Sequence, residues 1–416
     1  MLSEYLYQNT QMIIFNISDS NKYFNKLKKH ISLFVIAFSS LLFFILNIFL
    51  KEKLSLIDYG TYSIFITYVS LLMSFGMLGF EQTLLRTTVI DNKLNIDKKI
   101  ILPSIISFSC ICFLGSYLMI ANYDIRLDFF KILILSFCVI LTKLTFNLLR
   151  LKSWFVMSQI VLNFWKLTIF LVFCYYLFFD IDFNIKYLVN YILLFFFISA
   201  LTLIGVFKEI NLIKNKNTYD LIKKSGLFFM TLFTVSLINF GDRFFIESRF
   251  GLEELGNYFF YINVFLFPFS LFQTYVGFKE IIVFKKEFNK EILFKKIKYL
   301  IKYSVFFSLV LFAFLYLIEY LNIYDLHIKS NLNIIIPLIF LGNIKVLYSL
   351  LSSAMGATCD DSMLKNINVK SVISLAFILP CIYYLSFNIS ITIIFVIALW
   401  IIRCLIWYNQ LKKNEI

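Results

Sequence analysis

The chain alternates between long apolar stretches and short polar segments that are rich in Lys. Residues 31–50, ISLFVIAFSSLLFFILNIFL, are apolar on all sides over roughly the 20 residues that a membrane-crossing helix requires. The alternation of apolar and polar positions typical of a membrane β-strand is missing. Windows of this length predict twelve transmembrane helices, at 31–50, 60–80, 101–121, 131–150, 154–178, 187–207, 226–246, 256–276, 303–321, 332–354, 367–386 and 389–409.

Composition places these helices in a membrane rather than in a water-soluble core. Of the 416 residues, 60% are hydrophobic and 15% are charged, and the mean hydropathy is +0.83. With 12 Gly and 4 Pro in the chain, few turns interrupt the apolar stretches. Each stretch can therefore run as a helix that satisfies its own backbone hydrogen bonds in lipid. We predict an all-α polytopic membrane protein.

Positive charge is distributed unequally between the two sides of the predicted bundle. The N-terminus and the loops after even-numbered helices hold 27 of the 39 Lys and Arg, whereas the opposite loops hold 7. By the positive-inside rule, both ends of the chain and the Lys-rich loops lie in the cytoplasm. The net charge of +14 therefore reflects membrane topology, and we expect no binding to nucleic acid.

The chain contains an internal repeat. The motif DYGTY at 58–62 returns 196 residues later as ELGNY at 254–258, and KLTFNLLR at 143–150 returns 202 residues later as KVLYSLLS at 345–352. Both copies begin on the cytoplasmic side and contain an even number of helices, so they are parallel repeats related by an axis along the membrane normal. We predict two six-helix halves, 31–207 and 226–409, with cytoplasmic segments at 1–30, 208–225 and 410–416.

Residues 56–86, LIDYGTYSIFITYVSLLMSFGMLGFEQTLLR, resemble the opening signature of the Wzx-type polysaccharide flippases, which belong to the multidrug/oligosaccharidyl-lipid/polysaccharide (MOP) superfamily. The shared features are an acidic-Tyr-Gly-x-Tyr turn, an apolar helix, and Gly-x-x-Gly before a polar exit that ends in Arg. Residues 238–258 are similar to the family's Asp-Arg helix and the Gly-x-Tyr turn after it. Residues 148–167 are similar to its Leu-Arg segment and the short basic loop that follows.

This resemblance implies a MATE/MOP-like fold and a flippase of the bacterial inner membrane. The implied substrate is an oligosaccharide repeat unit on undecaprenyl pyrophosphate, moved from the cytoplasmic to the periplasmic leaflet by alternating access for O-antigen or capsule synthesis. The polymerase and the chain-length regulator of the same pathway are the implied protein partners. The sequence has no Gly-x-x-x-x-Gly-Lys-Ser/Thr loop for ATP, and we expect no cofactor.

Charged residues inside the predicted helices are functional candidates, because inserting a charge into lipid costs roughly 2.5 to 3.5 kcal/mol. Lys166 lies near mid-bilayer, on the helical face that carries Gln159 and Asn163. Related polar stripes on the fourth and tenth helices consist of Lys143, Asn147 and Arg150 and of Lys345, Ser349, Ser352 and Gly356. Together the stripes predict a cationic cavity between the halves, where Lys holds the pyrophosphate and the amides meet sugar hydroxyls. The alternative for each single Lys is a structural role, in which it snorkels or binds a neighbouring carbonyl.

Five further charged residues are open to interpretation. Asp242 and Arg243, at the predicted outer end of the seventh helix, form either an interfacial salt bridge or a gating or coupling site. Glu81 and Arg86, where the second helix ends, form either an intracellular gate or a solvated helix end. Arg403 is predicted to anchor the twelfth helix at the membrane interface, beside two Trp.

Three other functions remain open. A MATE-like drug or cation antiporter should place carboxylates in its cavity, whereas the deepest charges here are Lys. A lipid II flippase often has more than twelve helices. A polytopic polysaccharide polymerase, an enzyme, usually carries a long outer loop, and the longest one here, near 322–331, is short. Asp180 and Asp182 match a glycosyltransferase Asp-x-Asp without a large outer domain beside it, and the seven Cys and two His lack metal-ligand spacing, so we expect no catalytic residue and no metal.

Overall fold

Long helices make up most of the chain. The computed structural model describes residues 31–32, 34–84, 89–90, 93–123, 128–179, 184–207, 210–213, 218–286 and 288–413. Among them, eleven helical stretches are long and apolar enough to cross a membrane. The helices are α1 (Phe34–Lys53), α2 (Leu56–Phe75), α3 (Phe80–Leu84), α4 (Lys98–Asn122), α5 (Phe129–Leu151), α6 (Phe155–Phe178), α7 (Ile185–Phe207), α8 (Thr218–Tyr261), α9 (Phe267–Lys286), α10 (Lys290–Tyr320), α11 (Leu332–Thr358), α12 (Asp361–Leu385) and α13 (Ile389–Lys413).

The longest helical stretch, Tyr219–Ile281, contains 63 residues and turns back on itself at Gly251. There φ is 89° and ψ is 173°, a conformation that favours glycine and breaks the helix. The Tyr258 hydroxyl nevertheless donates a hydrogen bond to the Asp242 carboxylate at 2.5 Å. In a straight helix these residues would lie about 24 Å apart. The stretch therefore crosses twice, and the described part of the chain contains the twelve predicted crossings.

The second crossing ends earlier than the window predicted at 60–80. α2 stops at Phe75, and residues 76–79 turn before α3 begins. Gly79 has a φ of 78°, and a Cβ atom there would lie 2.3 Å from the Ser225 carbonyl oxygen. Only glycine fits this position, so the Gly-x-x-Gly motif is a break within the predicted helix.

The hydrophobic pattern does not predict the small three-stranded sheet that lies beside the helices. β1 (Val89–Ile90) is antiparallel to β2 (Lys93–Asp97), and β2 is parallel to β3 (Ile210–Ile213), with Leu94 opposite Ile210. β3 lies in the predicted linker 208–225, whose last residues belong to α8. The expectation of a wholly helical chain misses this sheet because its strands come from loops that are far apart in sequence.

The two halves pack around corresponding central helices. In the first half α5 contacts α2, α4, α6 and α7, and in the second half α11 contacts α9, α10 and α13. These central helices carry the repeated segments 143–150 and 345–352. The main contact between the halves joins α2 to α8. This packing agrees with the two predicted six-helix repeats.

Reporter fusions test the orientation of the bundle. Fusions after Lys99, Lys152 and Lys290 should read as cytoplasmic, and those after Lys53 and Glu254 as periplasmic, because Lys-rich loops stay inside. Alkaline phosphatase is active when the fusion point is periplasmic, and β-galactosidase is active when it is cytoplasmic, so the ratio of the two activities at each site reports its side of the membrane. Reversed readings at two or more of these sites would contradict the predicted topology. Below, "inner" and "outer" refer to this predicted orientation.

Candidate functional site

The two repeated glycines meet at the outer end of the contact between α2 and α8. A Cβ atom on Gly60 would lie 2.0 Å from the Leu252 carbonyl oxygen, and one on Gly256 would lie 2.5 Å from the Leu56 carbonyl oxygen. Each helix thus touches the backbone of the other at a position where only glycine fits. The two copies of the motif are therefore two sides of one contact between the halves.

Buried tyrosines of the same motifs surround this outer contact. Tyr59, Tyr62 and Tyr258 are all fully buried. The Tyr59 hydroxyl donates a hydrogen bond to the Asn47 carbonyl oxygen in α1 at 3.1 Å, and its ring centre lies 5.4 Å from that of Phe259. The hydrogen bond joins α2 to α1 within the first half, and the ring contact joins the outer ends of the two halves.

The halves also touch near the inner end of α2. The Ser225 hydroxyl donates a hydrogen bond to the Leu78 carbonyl oxygen at 3.0 Å, beside the close approach of Gly79. The Phe75 ring packs edge-on against that of Phe233, with ring centres 5.7 Å apart. The halves are therefore in contact at both ends of the α2–α8 interface.

A polar cavity of about 320 Å³ lies between the halves. The first half supplies Met73, Ser74, Glu81, Lys143, Asn147 and Arg150, and the second half supplies Leu232, Val235, Ser236 and Asn239. The complete stripe predicted on the fourth helix lines this cavity. Of the other predicted site residues, Glu81 joins it from α3.

Two buried polar groups in this cavity have no hydrogen-bond partner in the described part of the chain. They are one Glu81 carboxylate oxygen and the Asn147 side-chain nitrogen. Buried polar atoms are usually paired, so both groups are available to a ligand or to water. Glu81 is 4% exposed and interacts favourably with Lys143, so its interpretation as a solvated helix end is wrong. Arg86 lies outside the described residues.

Asp242 and Arg243 are buried inside the bundle, so their interpretation as an interfacial salt bridge is wrong. They are 8% and 9% exposed. The Asp242 carboxylate accepts hydrogen bonds from the Tyr258 hydroxyl and, at 3.0 Å, from the Arg243 backbone. The Arg243 guanidinium donates across the halves to the Thr67 hydroxyl at 2.7 Å and lies 5.1 Å from the Phe259 ring centre. Arg243 therefore joins the two halves through a side chain.

Lys345 is half-buried and lies apart from the cavity that Lys143 lines. Its ammonium group is 5.5 Å from the centre of the Trp400 ring, is attracted by Asp242 and is repelled by Arg243. Each repeated Lys thus has a buried carboxylate in its surroundings, Glu81 for Lys143 and Asp242 for Lys345. Asp242 also lines a mainly apolar cavity of about 440 Å³ within the second half.

Lys166 does not line the cavity between the halves either. Its ammonium group lies 5.8 Å from the ring centres of both Phe43 and Trp165. On the same face, the Asn163 amide donates to the Gln159 carbonyl oxygen at 3.0 Å. Met157, Ile160, Leu171 and Tyr175 mark an exposed side of α6. With a rotation of 100° per residue about the helix axis, the Lys166 side chain lies about 120 to 180° away from each of them. Lys166 therefore faces the protein rather than the surrounding lipid.

Arg403 is buried in the second half and is not an interfacial anchor. Its exposed fraction is 1%, and its guanidinium donates to the Tyr348 hydroxyl and to the Thr234 hydroxyl, each at 3.1 Å. It thereby joins α13 to α11 and α8. α13 extends to Lys413, beyond the window predicted to end at 409, so Arg403 lies deeper than its predicted position near the membrane surface.

Comparison with known proteins supports the fold. No family model and no curated protein matches the sequence. The lipid II flippase MurJ, in an inward closed conformation, is similar with a TM-score of 0.61 and 14% identity, over 91% of this chain and 87% of that one. A mutant of the MATE transporter VcmN from Vibrio cholerae is similar with a TM-score of 0.55 and 14% identity, over 94% of this chain and 97% of that one. The chain is a multi-pass membrane protein with a MATE/MOP-like fold of two six-helix halves.

Proposed function

We propose that the protein is a flippase that moves an undecaprenyl-pyrophosphate-linked oligosaccharide from the cytoplasmic to the periplasmic leaflet, for O-antigen or capsule synthesis. The observation that carries this proposal is the polar cavity between the halves, in which Lys143 and Arg150 lie beside unpaired polar groups. Such a cavity suits an anionic head group that also presents hydroxyls. The likeness to MurJ supports a lipid-linked substrate.

The cavity residues divide into groups for the pyrophosphate and groups for the sugars. Lys143 offers a mobile point charge and Arg150 a planar fork of donors, and both bind phosphate oxygens. The free Asn147 amide, with Ser236 and Asn239 of the opposite wall, offers hydrogen bonds to sugar hydroxyls. Glu81 is the counter-charge of Lys143, and the incoming pyrophosphate competes with it for the ammonium group.

Transport requires the halves to separate and close again. A cavity of about 320 Å³ is at the lower end of the range that holds a drug-sized ligand, so an oligosaccharide needs a wider space. Opening the contact between Leu78 and Ser225 would admit the substrate from the inside. Opening the contact between Gly60 and Gly256 would release it outside, while the lipid tail stays in the bilayer.

The membrane potential favours this direction of transport. Moving one negative charge outward across 100 mV gains about 2.3 kcal/mol, so a dianionic head group gains up to about 4.6 kcal/mol. We assign gating or coupling to the buried pair Asp242 and Arg243, because Arg243 bridges the halves through Thr67 while Asp242 and Lys345 interact in the second half.

Two related functions are favoured by specific observations. The likeness to MurJ supports a lipid II flippase, which would use the same cavity for a different sugar head group. The mainly apolar cavity of about 440 Å³ beside Asp242 supports a MATE-like antiporter, since a carboxylate there suits a cation.

Transport by purified protein in liposomes separates these functions. Fluorescent undecaprenyl-pyrophosphate oligosaccharide, fluorescent lipid II and a cationic dye would be tested in parallel, under an imposed membrane potential. We expect the first substrate alone to cross. Transport of lipid II alone, or of the dye alone under an ion gradient, would replace the proposal with the corresponding alternative.

Lys166 provides a further test of the substrate path. Lys166 lies outside the cavity of about 320 Å³, so it can meet the pyrophosphate only when the halves separate. Lys166→Glu should then lower transport most, Lys166→Ala less, and Lys166→Arg least, because phosphate is attracted by either cation and repelled by a carboxylate. The readout is surface polysaccharide in a host that lacks its own flippase, divided by membrane abundance. Lys186→Glu, the same charge change at an exposed site on α7, is the control. Full activity of Lys166→Glu at equal abundance would remove Lys166 from the path.

A further inference from the structure

A long apolar groove opens on the second half between α9 and α10. Its volume is about 870 Å³, and its walls are formed by α9 between Pro268 and Glu280 and by α10 between Lys296 and Val310. Leu350 of α11 forms its buried floor. Tyr303 and Phe306 are 61% and 65% exposed, so this aromatic wall faces the membrane.

The length of the groove matches one leaflet of a bilayer. At 1.5 Å per residue, it extends about 18 Å along α9 and about 21 Å along α10. The hydrocarbon core of a bilayer is about 30 Å thick. A single aliphatic chain that starts at the inner surface would therefore fill the groove and end near the middle of the membrane.

Basic side chains lie at the inner end of the groove. Lys296 forms an ion pair with Glu280, whereas Lys279 has no carboxylate partner in the described part of the chain. The Lys279 ammonium group lies 5.6 Å from the Tyr275 ring centre. The first turns of α10 add further positive charge through Lys290, Lys295 and Lys302. This end of the groove therefore favours an anionic head group.

The groove is separate from the proposed transport path. None of the residues that line the polar cavity between the halves lines the groove, and Leu350 closes its floor. An occupant can thus enter from the bilayer without passing between the halves. This favours a resident membrane lipid over the transported substrate.

We propose that the groove between α9 and α10 is a binding site for an anionic phospholipid of the cytoplasmic leaflet. Lys279 and Lys296 hold the phosphate, and one acyl chain lies along the aromatic wall formed by Tyr303 and Phe306. Basic clefts between membrane helices on the cytoplasmic side are suited to such head groups.

Binding to the delipidated full-length protein in detergent tests this site. Native mass spectrometry and thermal unfolding would compare phosphatidylglycerol with phosphatidylcholine of the same acyl chains. We expect phosphatidylglycerol to bind more tightly and to raise the midpoint of unfolding more. Lys279→Gln should weaken phosphatidylglycerol binding about fivefold, as expected for the loss of one lysine at an anionic lipid. Lys298→Gln, the matched charge removal on α10 outside the groove, should leave binding unchanged.

A second pair of variants tests the acyl-chain wall. Phe306→Ala should weaken the binding of both lipids, whereas Phe314→Ala, an exposed position on α10 outside the groove, should not. Equal binding of the two lipids, or equal effects of Lys279→Gln and Lys298→Gln, would overturn the proposal. Binding of undecaprenyl phosphate with loss of phosphatidylglycerol would also overturn it, by assigning the groove to the transported lipid.

Discussion

Gly60→Ala should nearly abolish transport while the protein still reaches the membrane in normal amounts. The new Cβ atom would lie 2.0 Å from the Leu252 carbonyl oxygen, so the backbones of α2 and α8 would have to move apart. Overpacking of this kind costs about 1 to 3 kcal/mol, which lowers the population of the outer-closed state about 5- to 150-fold. The contact lies between the halves, so each half can still fold.

The control for Gly60→Ala is Gly205→Ala. A Cβ atom on Gly205, in α7, would meet nothing within 4 Å, so this change should have no effect. The measurement is surface polysaccharide in the flippase-deficient host. Asn263 lies at the outer contact, with its side-chain nitrogen 3.5 Å from the Tyr59 hydroxyl. A Cys introduced there, after replacement of the seven native Cys, should react faster with an impermeant maleimide in the Gly60→Ala protein. Unchanged transport and unchanged labelling by Gly60→Ala would show that this contact need not form during the cycle.

Lys143→Glu should eliminate transport, and with a larger effect than any change at Lys166. The substitution places a second carboxylate near Glu81, which is buried, and removes the positive charge that faces the cavity. It would repel the pyrophosphate as well. Lys143→Arg should keep part of the activity, since either side chain attracts phosphate although their geometries differ. Lys143→Ala should fall between the two.

Lys131→Glu is the matched control on the same helix. Lys131 is 42% exposed and pairs with the exposed Asp128 at 3.5 Å, a contact that contributes little to stability. Surface polysaccharide per unit of membrane protein should therefore be unchanged in this variant. If Lys143→Glu supports the same amount of polysaccharide as the unmutated protein, then Lys143 does not contact the substrate, and the assignment of the cavity would have to be abandoned.

The contacts at both ends of the α2–α8 interface have a consequence for the transport cycle. In this conformation the outer glycine contact and the inner contact at Leu78 are formed together. The substrate can enter only after the inner contact opens, and it can leave only after the outer one does. Arg243, which donates to Thr67 across the interface, would lose this hydrogen bond when the halves separate.

The recurring motifs and the positions of the basic loops predicted the parallel repeat, and the hydrophobic pattern predicted the twelve crossings. A helix in lipid satisfies its own backbone hydrogen bonds, so the position of a span is a local property of the chain. The same pattern placed the end of α2 too late, because the break at Gly79 follows from its close approach to Ser225. It also missed the pairing of β2 with β3, which joins distant loops.

Only the packing of the helices decided which candidate residues meet. Periodicity shows which residues share a helical face, but it does not show which helix lies opposite that face. Lys143 and Asn147 share one stripe by their spacing, whereas the approach of α3 that brings Glu81 to them is a tertiary contact. Lys345, predicted to share a cavity with Lys143, interacts with Asp242 in the second half. Arg403, predicted at the membrane interface, is buried among three helices. Such contacts depend on how segments far apart in the chain are arranged in space, so they cannot be predicted from the spacing of residues within one helix.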